Sequence, residues 1–115
     1  MSQSESELKH DIMEYLKSLP NGYFRVIQVK GIKGRKSLSK GVPDILGVFN
    51  GRAVAIEVKL PTGKLTVEQG DFLFEWDRSG GVSLVARSLE DVVGVISKIT
   101  LETFSIEKCR TTLAQ

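Results

Sequence analysis

Hydrophobic and polar positions follow two different periods along this chain of 115 residues. Three segments carry apolar residues at helical spacing, and each begins beside a serine or threonine that can cap a helix. Four shorter runs are rich in β-branched and aromatic residues, which is typical of strands. The pattern therefore predicts helices over residues 5–19, 67–79 and 89–99, and strands over residues 23–29, 45–49, 52–58 and 82–86.

The predicted order of elements is αβββαβα, which is typical of an α/β domain. A helix between the third and fourth strands implies a right-handed crossover and a parallel strand pair. Strands 45–49 and 52–58 are apolar on both faces, so we expect helices on both faces of a mixed four-stranded sheet. Residues 100–115 show no clear period, and we expect a short helix or a partly ordered tail there, outside a domain at residues 1–99.

The dipeptide Asn50-Gly51 between the second and third strands is the strongest short signal for a hairpin. A two-residue turn at this point pairs the strands so that Asp44 lies opposite Glu57, with both side chains on one face. Lys59 follows Glu57 by two residues and therefore points to the same face. A slip of one residue would send one carboxylate to the other face, so this arrangement requires a hairpin without a bulge.

Two carboxylates opposite one another at the end of an apolar hairpin need compensation. Like charges in this position repel, and each ionised carboxylate next to low dielectric costs several kcal/mol. Lys59 can neutralise one of them, whereas a divalent cation can neutralise both. Taken singly, Asp44 is also interpretable as a strand-end cap, and Glu57 with Lys59 as a surface pair. The combination favours a site for Mg²⁺ or Mn²⁺, which take oxygen ligands and one or two carboxylates.

The composition, with 41% hydrophobic and 26% charged residues, is that of a globular protein and excludes a disordered or fibrous chain. The single cysteine and single histidine argue against Cys-rich or His-based zinc centres. No apolar run approaches the ~18 residues of a membrane helix, and the polar N-terminus is not a signal peptide. These features predict a protein of a reducing cytoplasm without membrane association.

The net charge of +2 is mild, but its distribution is uneven. Residues 23–43 contain six basic residues and no acidic one, and the segment 31–41 is rich in glycine and serine. This pattern predicts a basic loop that is either a solvated surface loop or a phosphate-contacting one. The residues that would contact DNA are Lys30, Lys33, Arg35, Lys36 and Lys40.

Pro43-Asp44, followed by Glu57-Val58-Lys59 in an αβββαβ order, resembles the signature of the PD-(D/E)xK nuclease superfamily. More narrowly, segments 41–46, 50–59 and 63–69, together with Gly80-Gly81, resemble the VRR-NUC (virus-type replication–repair nuclease) family. The resemblance extends from about Glu7 to Ile99, and it is to the stand-alone form found in phages and bacteria. It implies a restriction-endonuclease-like fold.

The resemblance also implies roles for individual residues. Asp44 and Glu57, with the backbone carbonyl of Val58, would bind one or two Mg²⁺ or Mn²⁺ ions. Lys59 would assist the attacking water and stabilise negative charge in the transition state, and Gln69 would lie beside the site. Glu7 matches a family glutamate that reaches the metal.

Glu7 and Gln69 also fit capping boxes at the starts of their helices, so each has a purely structural interpretation. Glu5 or Asp11 remains an alternative to Glu7 as the metal-binding acid of the first helix.

The implied function is a metal-dependent DNA endonuclease that cleaves branched DNA, as Holliday-junction resolvases do in DNA repair. Symmetric cleavage of a junction needs two active sites, so we expect a homodimer in the cytoplasm of a bacterial cell or a phage-infected host. Phe72, Phe74 and Trp76 cannot all face inward on one helix, which leaves an aromatic side chain for an interface. The alternatives are a nicking or restriction-like nuclease of duplex DNA and a non-catalytic, structure-specific DNA-binding module.

Overall fold

The computed structural model describes residues 3–28 and 40–114 and has the predicted αβββαβα order. The elements are α1 (Glu5–Lys17), β1 (Gly22–Val26), β2 (Ile45–Phe49), β3 (Arg52–Val58), α2 (Val67–Arg78), β4 (Val82–Ala86) and α3 (Leu89–Ala114). Within these residues, no helix is both long enough and apolar enough to pass through a lipid bilayer.

The four strands form one mixed sheet in the order β1-β2-β3-β4. β2 is antiparallel to both β1 and β3, whereas β3 and β4 are parallel, as predicted from the intervening helix. Asn50 and Gly51 have φ values of 49° and 79°, which are those of a two-residue hairpin turn. The register runs unbroken from Phe49 opposite Arg52 to Ile45 opposite Ile56. The predicted hairpin without a bulge is confirmed.

The main core lies between one face of the sheet and helices α1 and α3. Alternate residues of β3 (Val54, Ile56 and Val58) point into it and are at most 1% exposed. The helices contribute apolar side chains at the spacing expected of amphipathic helices. From α1 and α3 these are Leu8, Ile12, Met13, Leu16, Val92, Ile96 and Ile99.

Among the described elements, α2 covers the opposite face of the sheet, where it packs over β3 and β4. Leu73 is the buried residue of this helix, and the Trp76 Nε1–H donates a hydrogen bond to the Ala53 carbonyl (3.3 Å). Tyr23 and Val48 are paired across β1 and β2 and remain 67% and 49% exposed. Helices therefore flank both faces, as predicted, and among the described residues Tyr23 and Val48 lie on the part of this face that α2 does not cover.

Three element boundaries differ from the predicted ones by two residues or more. Helix α1 ends at Lys17, before Pro20, and β1 ends at Val26, while Val29 lies outside the described residues. Helix α3 continues from Leu89 to Ala114 instead of ending near Ile99.

The extension of α3 explains why residues 100–114 lack a hydrophobic period. Ile99 is the last residue of this helix in the core, and the described side chains beyond it are exposed, apart from the half-buried Thr103. Leu101, Phe104 and Ile106 are each more than half exposed. The predicted boundary between domain and tail thus falls inside one continuous helix.

Candidate active site

Asp44 is held at the start of β2 by hydrogen bonds from two other segments. It follows the buried Pro43, and its main-chain carbonyl accepts a hydrogen bond from the Ile27 N–H (2.8 Å). Its Oδ2 accepts another from the Val58 N–H (2.8 Å). The carboxylate is therefore fixed against the end of β3 at the place that the predicted register assigns to it.

Glu57 lies beside Asp44 on β3 and is only 3% exposed. Its Oε1 accepts a hydrogen bond from Gln69 Nε2 (3.1 Å). Its Oε2 is buried, and no donor in the described part of the chain reaches it. A buried carboxylate oxygen without a donor is costly, and either a proton on the carboxyl group or a ligand from outside the chain removes that cost.

Burial, followed by the charge of Asp44 and a hydrogen bond to it, raises the pKa of Glu57 from 4.5 to about 8. The positive charge of Lys59 acts in the opposite direction, and the negative charge of Glu5 adds to the increase. Without a metal, Glu57 is therefore largely protonated at neutral pH. A divalent cation at this position would have to displace that proton.

Gln69 serves both of the roles that its sequence context suggests. Its N–H donates to Thr66 Oγ1 (3.1 Å) and its Oε1 accepts from the Thr66 N–H (2.9 Å), which completes a capping box at the start of α2. The Nε2 group of the same side chain takes no part in the capping box and donates to Glu57 Oε1. The helix cap thus orients the amide that holds the buried carboxylate.

The chain just before Asp44 packs against the same turn of α2. Gly41 has a φ of +90°, and a Cβ at this position would lie 2.5 Å from the Glu68 carbonyl oxygen. Only glycine permits both the conformation and the close approach. The contact brings together the two sequence segments that carry Asp44 and Gln69.

Lys40 forms an ion pair with Glu68 (3.2 Å) in which both side chains are substantially exposed. It is the one described residue of the predicted DNA-binding set. Lys30, Lys33, Arg35 and Lys36 lie outside the described residues.

Lys59 follows β3 directly, and its N–H donates to the Ala86 carbonyl (3.0 Å) in an extension of the parallel ladder. The turn after it is held by Arg87, whose Nη1 donates to the carbonyls of Leu60 (2.8 Å), Pro61 (3.3 Å) and Gly63 (2.8 Å). Sequence reasoning missed Arg87, because a single arginine after a strand carries no signal of what it contacts.

Glu7 is exposed and belongs to the cap of α1, where its N–H and its Oε1 both contact Ser4 Oγ (3.1 Å). Asp11 is likewise exposed and accepts a hydrogen bond from Gln3 (2.6 Å). The structure does not group Glu7 with Asp44 and Glu57. Glu5 is the acid of α1 whose charge acts on Glu57. Glu5 lies about one helical turn before Lys9 and shares its face of α1, whereas Glu7, two residues after Glu5, lies on another face.

Helix α1 also supplies a cation that sequence reasoning missed. Lys9 Nζ lies 3.3 Å from Asp44 Oδ1. Lys9 follows Glu5 by four residues, so the two share one face of the helix. That spacing is the only signal in the sequence, and it does not show which face meets the sheet.

The donor set fits a hard divalent cation. Among the described residues, no group of three or more histidine, cysteine, aspartate or glutamate side chains could hold a metal. The site instead offers two carboxylates, one of which has a buried oxygen without a donor. Mg²⁺ and Mn²⁺ are commonly bound by one or two carboxylates, with water and phosphate oxygens completing the shell. Zinc, which prefers nitrogen and sulfur ligands, does not fit this set.

The fold was compared with those of known proteins. One similar solved structure is described as a "VRR_NUC domain"; it is 23% identical, has a TM-score of 0.63, and the match covers 84% of this chain and 97% of that one. A second, a "VRR_NUC domain protein", is 17% identical with a TM-score of 0.59, and the match covers 85% and 88% of the two chains. No protein-family model and no curated protein sequence matches the chain. The resemblance found in the sequence is confirmed at the level of the fold: the chain has the restriction-endonuclease-like fold of VRR_NUC domains.

Proposed function

We propose that the protein is a VRR-NUC-type nuclease that hydrolyses phosphodiester bonds in branched DNA with the help of Mg²⁺ or Mn²⁺. The observation that carries the proposal is the pairing of Asp44 with the buried Glu57, whose Oε2 lacks a donor in the described chain. A fold of this kind explains neither feature by itself, because two facing carboxylates destabilise a sheet.

Asp44 and Glu57 would hold the metal with their side chains, together with the carbonyl of Val58. A divalent cation bound there acidifies water, polarises the scissile phosphate and steadies the leaving oxygen. Gln69 keeps Glu57 in place through its 3.1 Å hydrogen bond. Lys59, whose charge already acts on Glu57, would stabilise the negative charge that develops on the phosphate.

The basic segment that ends at Lys40 would bind the DNA backbone. Phosphate contacts position a substrate but do not read its sequence. The sequence contains no motif that reads base edges, which favours recognition of DNA shape. Each phosphate contact removed from this segment would lower the salt slope of duplex binding by about 0.9.

Symmetric cleavage of a branched substrate would require two copies of the chain. Each chain provides one pair of carboxylates, whereas a four-way junction presents two strands of equivalent geometry. Exposed apolar side chains on α3 support a homodimer, since exposed apolar surface is typical of interaction sites. These side chains are Leu101, Phe104 and Ile106, and Phe74 is exposed separately on α2.

The test is a cleavage assay on end-labelled four-way junction, flap, nicked and linear duplex DNA with Mg²⁺, Mn²⁺ or EDTA. Asp44→Ala and Lys59→Ala should abolish metal-dependent cutting. Asp71→Asn, at an exposed carboxylate on α2, is the matched control and should cut at the unmodified rate.

The substrate pattern distinguishes the remaining alternatives. Preferential cutting of the junction supports the proposal, whereas equal cutting of duplex DNA would indicate a nicking or restriction-like enzyme. Junction binding without cutting under either metal would overturn the enzymatic proposal and leave a DNA-binding module.

A further inference from the structure

Lys9 forms an ion pair with Asp44 Oδ1, which is the oxygen available to bind a metal. Asp44 Oδ2 is already engaged by the Val58 N–H at 2.8 Å. Its Oδ1 is the oxygen that remains, and Lys9 Nζ lies 3.3 Å from it. Both side chains are partly buried, with 30% and 21% of their surfaces exposed. Such a pair is less screened by solvent than one on the open surface.

Helix α1 holds Lys9 in this position through the core. Leu8 and Ile12, on either side of Lys9 in sequence, are 3% and 0% exposed. The backbone that carries the lysine is therefore fixed, and only its side chain is free to move. Lys17 on the same helix provides a contrast, because its pair with Glu14 is 3.8 Å long and its side chain is 65% exposed.

Asp44 has a counter-ion without a metal. Because Glu57 keeps its proton in the metal-free protein, Asp44 is the charged member of the acidic pair, and the ammonium group of Lys9 lies 3.3 Å from it. Mg²⁺ binds carboxylate oxygens at about 2.0–2.1 Å and repels a nearby ammonium group. A cation that binds Asp44 Oδ1 must therefore displace Lys9 from it.

We propose that Lys9 pairs with Asp44 in the metal-free protein and competes with the divalent cation for Asp44 Oδ1. The inference rests on the proposed function, since it assumes that Asp44 binds the metal. Lys9 weakens metal binding in the absence of DNA. Once displaced, its ammonium group lies within a side-chain length of the site and can pair with a substrate phosphate.

Calorimetric titration of the full chain with Mn²⁺ alone, without DNA, tests the proposal. Lys9→Met should bind Mn²⁺ about tenfold more tightly than the unmodified protein, because the competing charge is gone. Lys9→Arg, which restores a cation, should return the affinity to within about twofold of the unmodified value. Lys17→Met is the matched control on the same helix and should leave the affinity unchanged. A merely structural role for Lys9 would weaken Mn²⁺ binding on its removal, not tighten it.

Thermal unfolding in EDTA provides a second readout. Lys9→Met should unfold at a lower temperature than Lys17→Met, because it leaves two carboxyl groups side by side with one cation fewer. Addition of Mn²⁺ should raise the unfolding temperature of Lys9→Met more than that of the unmodified protein.

The Asp44→Asn variant distinguishes a failure of the proposed metal site from a failure of the proposed role of Lys9. If Asp44→Asn abolishes Mn²⁺ binding but Lys9→Met binds no more tightly than the unmodified protein, the role of Lys9 is overturned and the metal site stands. If Asp44→Asn binds Mn²⁺ as the unmodified protein does, or if neither protein binds it, the proposed metal site is overturned together with the inference.

Discussion

The two faces of the sheet differ in the side chains that β3 presents on them. On the face of α1 and α3, β3 presents Val54, Ile56 and Val58, which are buried in an apolar core. On the face of α2 it presents Ala55 and Glu57, and the latter is a buried carboxyl group with an oxygen that lacks a donor. Because side chains alternate along a strand, the apolar face fixes the register that aligns Glu57 with Asp44. The apolar face therefore stabilises the fold. The register that it fixes also places the two carboxyl groups side by side on the opposite face.

Glu57→Gln is expected to have the largest effect, and it should affect cleavage without affecting stability. Cleavage should fall about 1,000-fold or more, since a metal-binding charge worth several kcal/mol is lost. Unfolding free energy at pH 8 should not fall, because the neutral amide has the same size and no longer repels Asp44. Cleavage rates and urea unfolding measure the two effects. Glu90→Gln, at an exposed acid of α3, is the control, and a large loss of stability in Glu57→Gln alone would contradict the division of roles.

Ile56→Ala, one residue earlier on β3, changes a side chain of the apolar face and should mainly lower stability. Ile56 is 1% exposed, so its truncation should lower the free energy of unfolding by about 2–5 kcal/mol. Val48→Ala on the open face removes a side chain that is 49% exposed and should cost less than about 1 kcal/mol. Urea midpoints with an unchanged slope provide the measurement. Equal costs for the two variants would show that the faces do not differ in packing.

The raised pKa of Glu57, on the α2 face, predicts that the free energy of unfolding depends on pH. In the folded metal-free protein Glu57 keeps its proton up to about pH 8, whereas the unfolded chain releases it near 4.5. The stabilisation from this group is therefore complete below about pH 4.5 and is lost as the pH rises through about 8. Urea unfolding in EDTA between pH 5 and pH 8 should show the unmodified protein losing stability relative to Glu57→Gln. A constant difference between the two would contradict the predicted shift.

The smallest expected effect concerns the contact between the two motif segments. Gly41 and Gly51 both have positive φ values, but only Gly41 is crowded, by the backbone of Glu68. Gly51→Ala should therefore cost about 1 kcal/mol from backbone strain alone. Gly41→Ala should cost about 1–2 kcal/mol more and should also slow cleavage, because it pushes the Asp44 segment away from α2. Denaturation and cleavage assays on both variants measure the difference, and equal behaviour would mean that the contact does not position the site.

Much of the arrangement could be predicted because it depends on local rules. The Asn50-Gly51 turn determines the hairpin register, and the register carries Asp44 to Glu57. The Thr66–Gln69 spacing determines the capping box, which the structure contains in full. In both cases a few neighbouring residues determine the geometry without reference to the rest of the fold.

The remaining features depend on contacts between distant segments. Lys9 and Asp44 are far apart in sequence, and their ion pair follows from how α1 packs against the sheet. The same packing brings the charge of Glu5 to Glu57 and leaves Glu7 in the helix cap. Val67 on α2 and Val93 on α3 are apolar but 77% and 37% exposed, because only part of each helix's apolar surface contacts the sheet.

The continuation of α3 beyond the core determines the outline of the molecule. A compact chain of this length has a radius of gyration of about 13 Å, whereas the value here is 16.1 Å, with extents of 62 × 35 × 22 Å. The residues after Ile99 add a rod of about 22 Å to a rounded body. Such a particle tumbles anisotropically and scatters X-rays as an elongated object. A chain that ended at Thr100 would be less elongated and would still keep the apolar core that holds the sheet together.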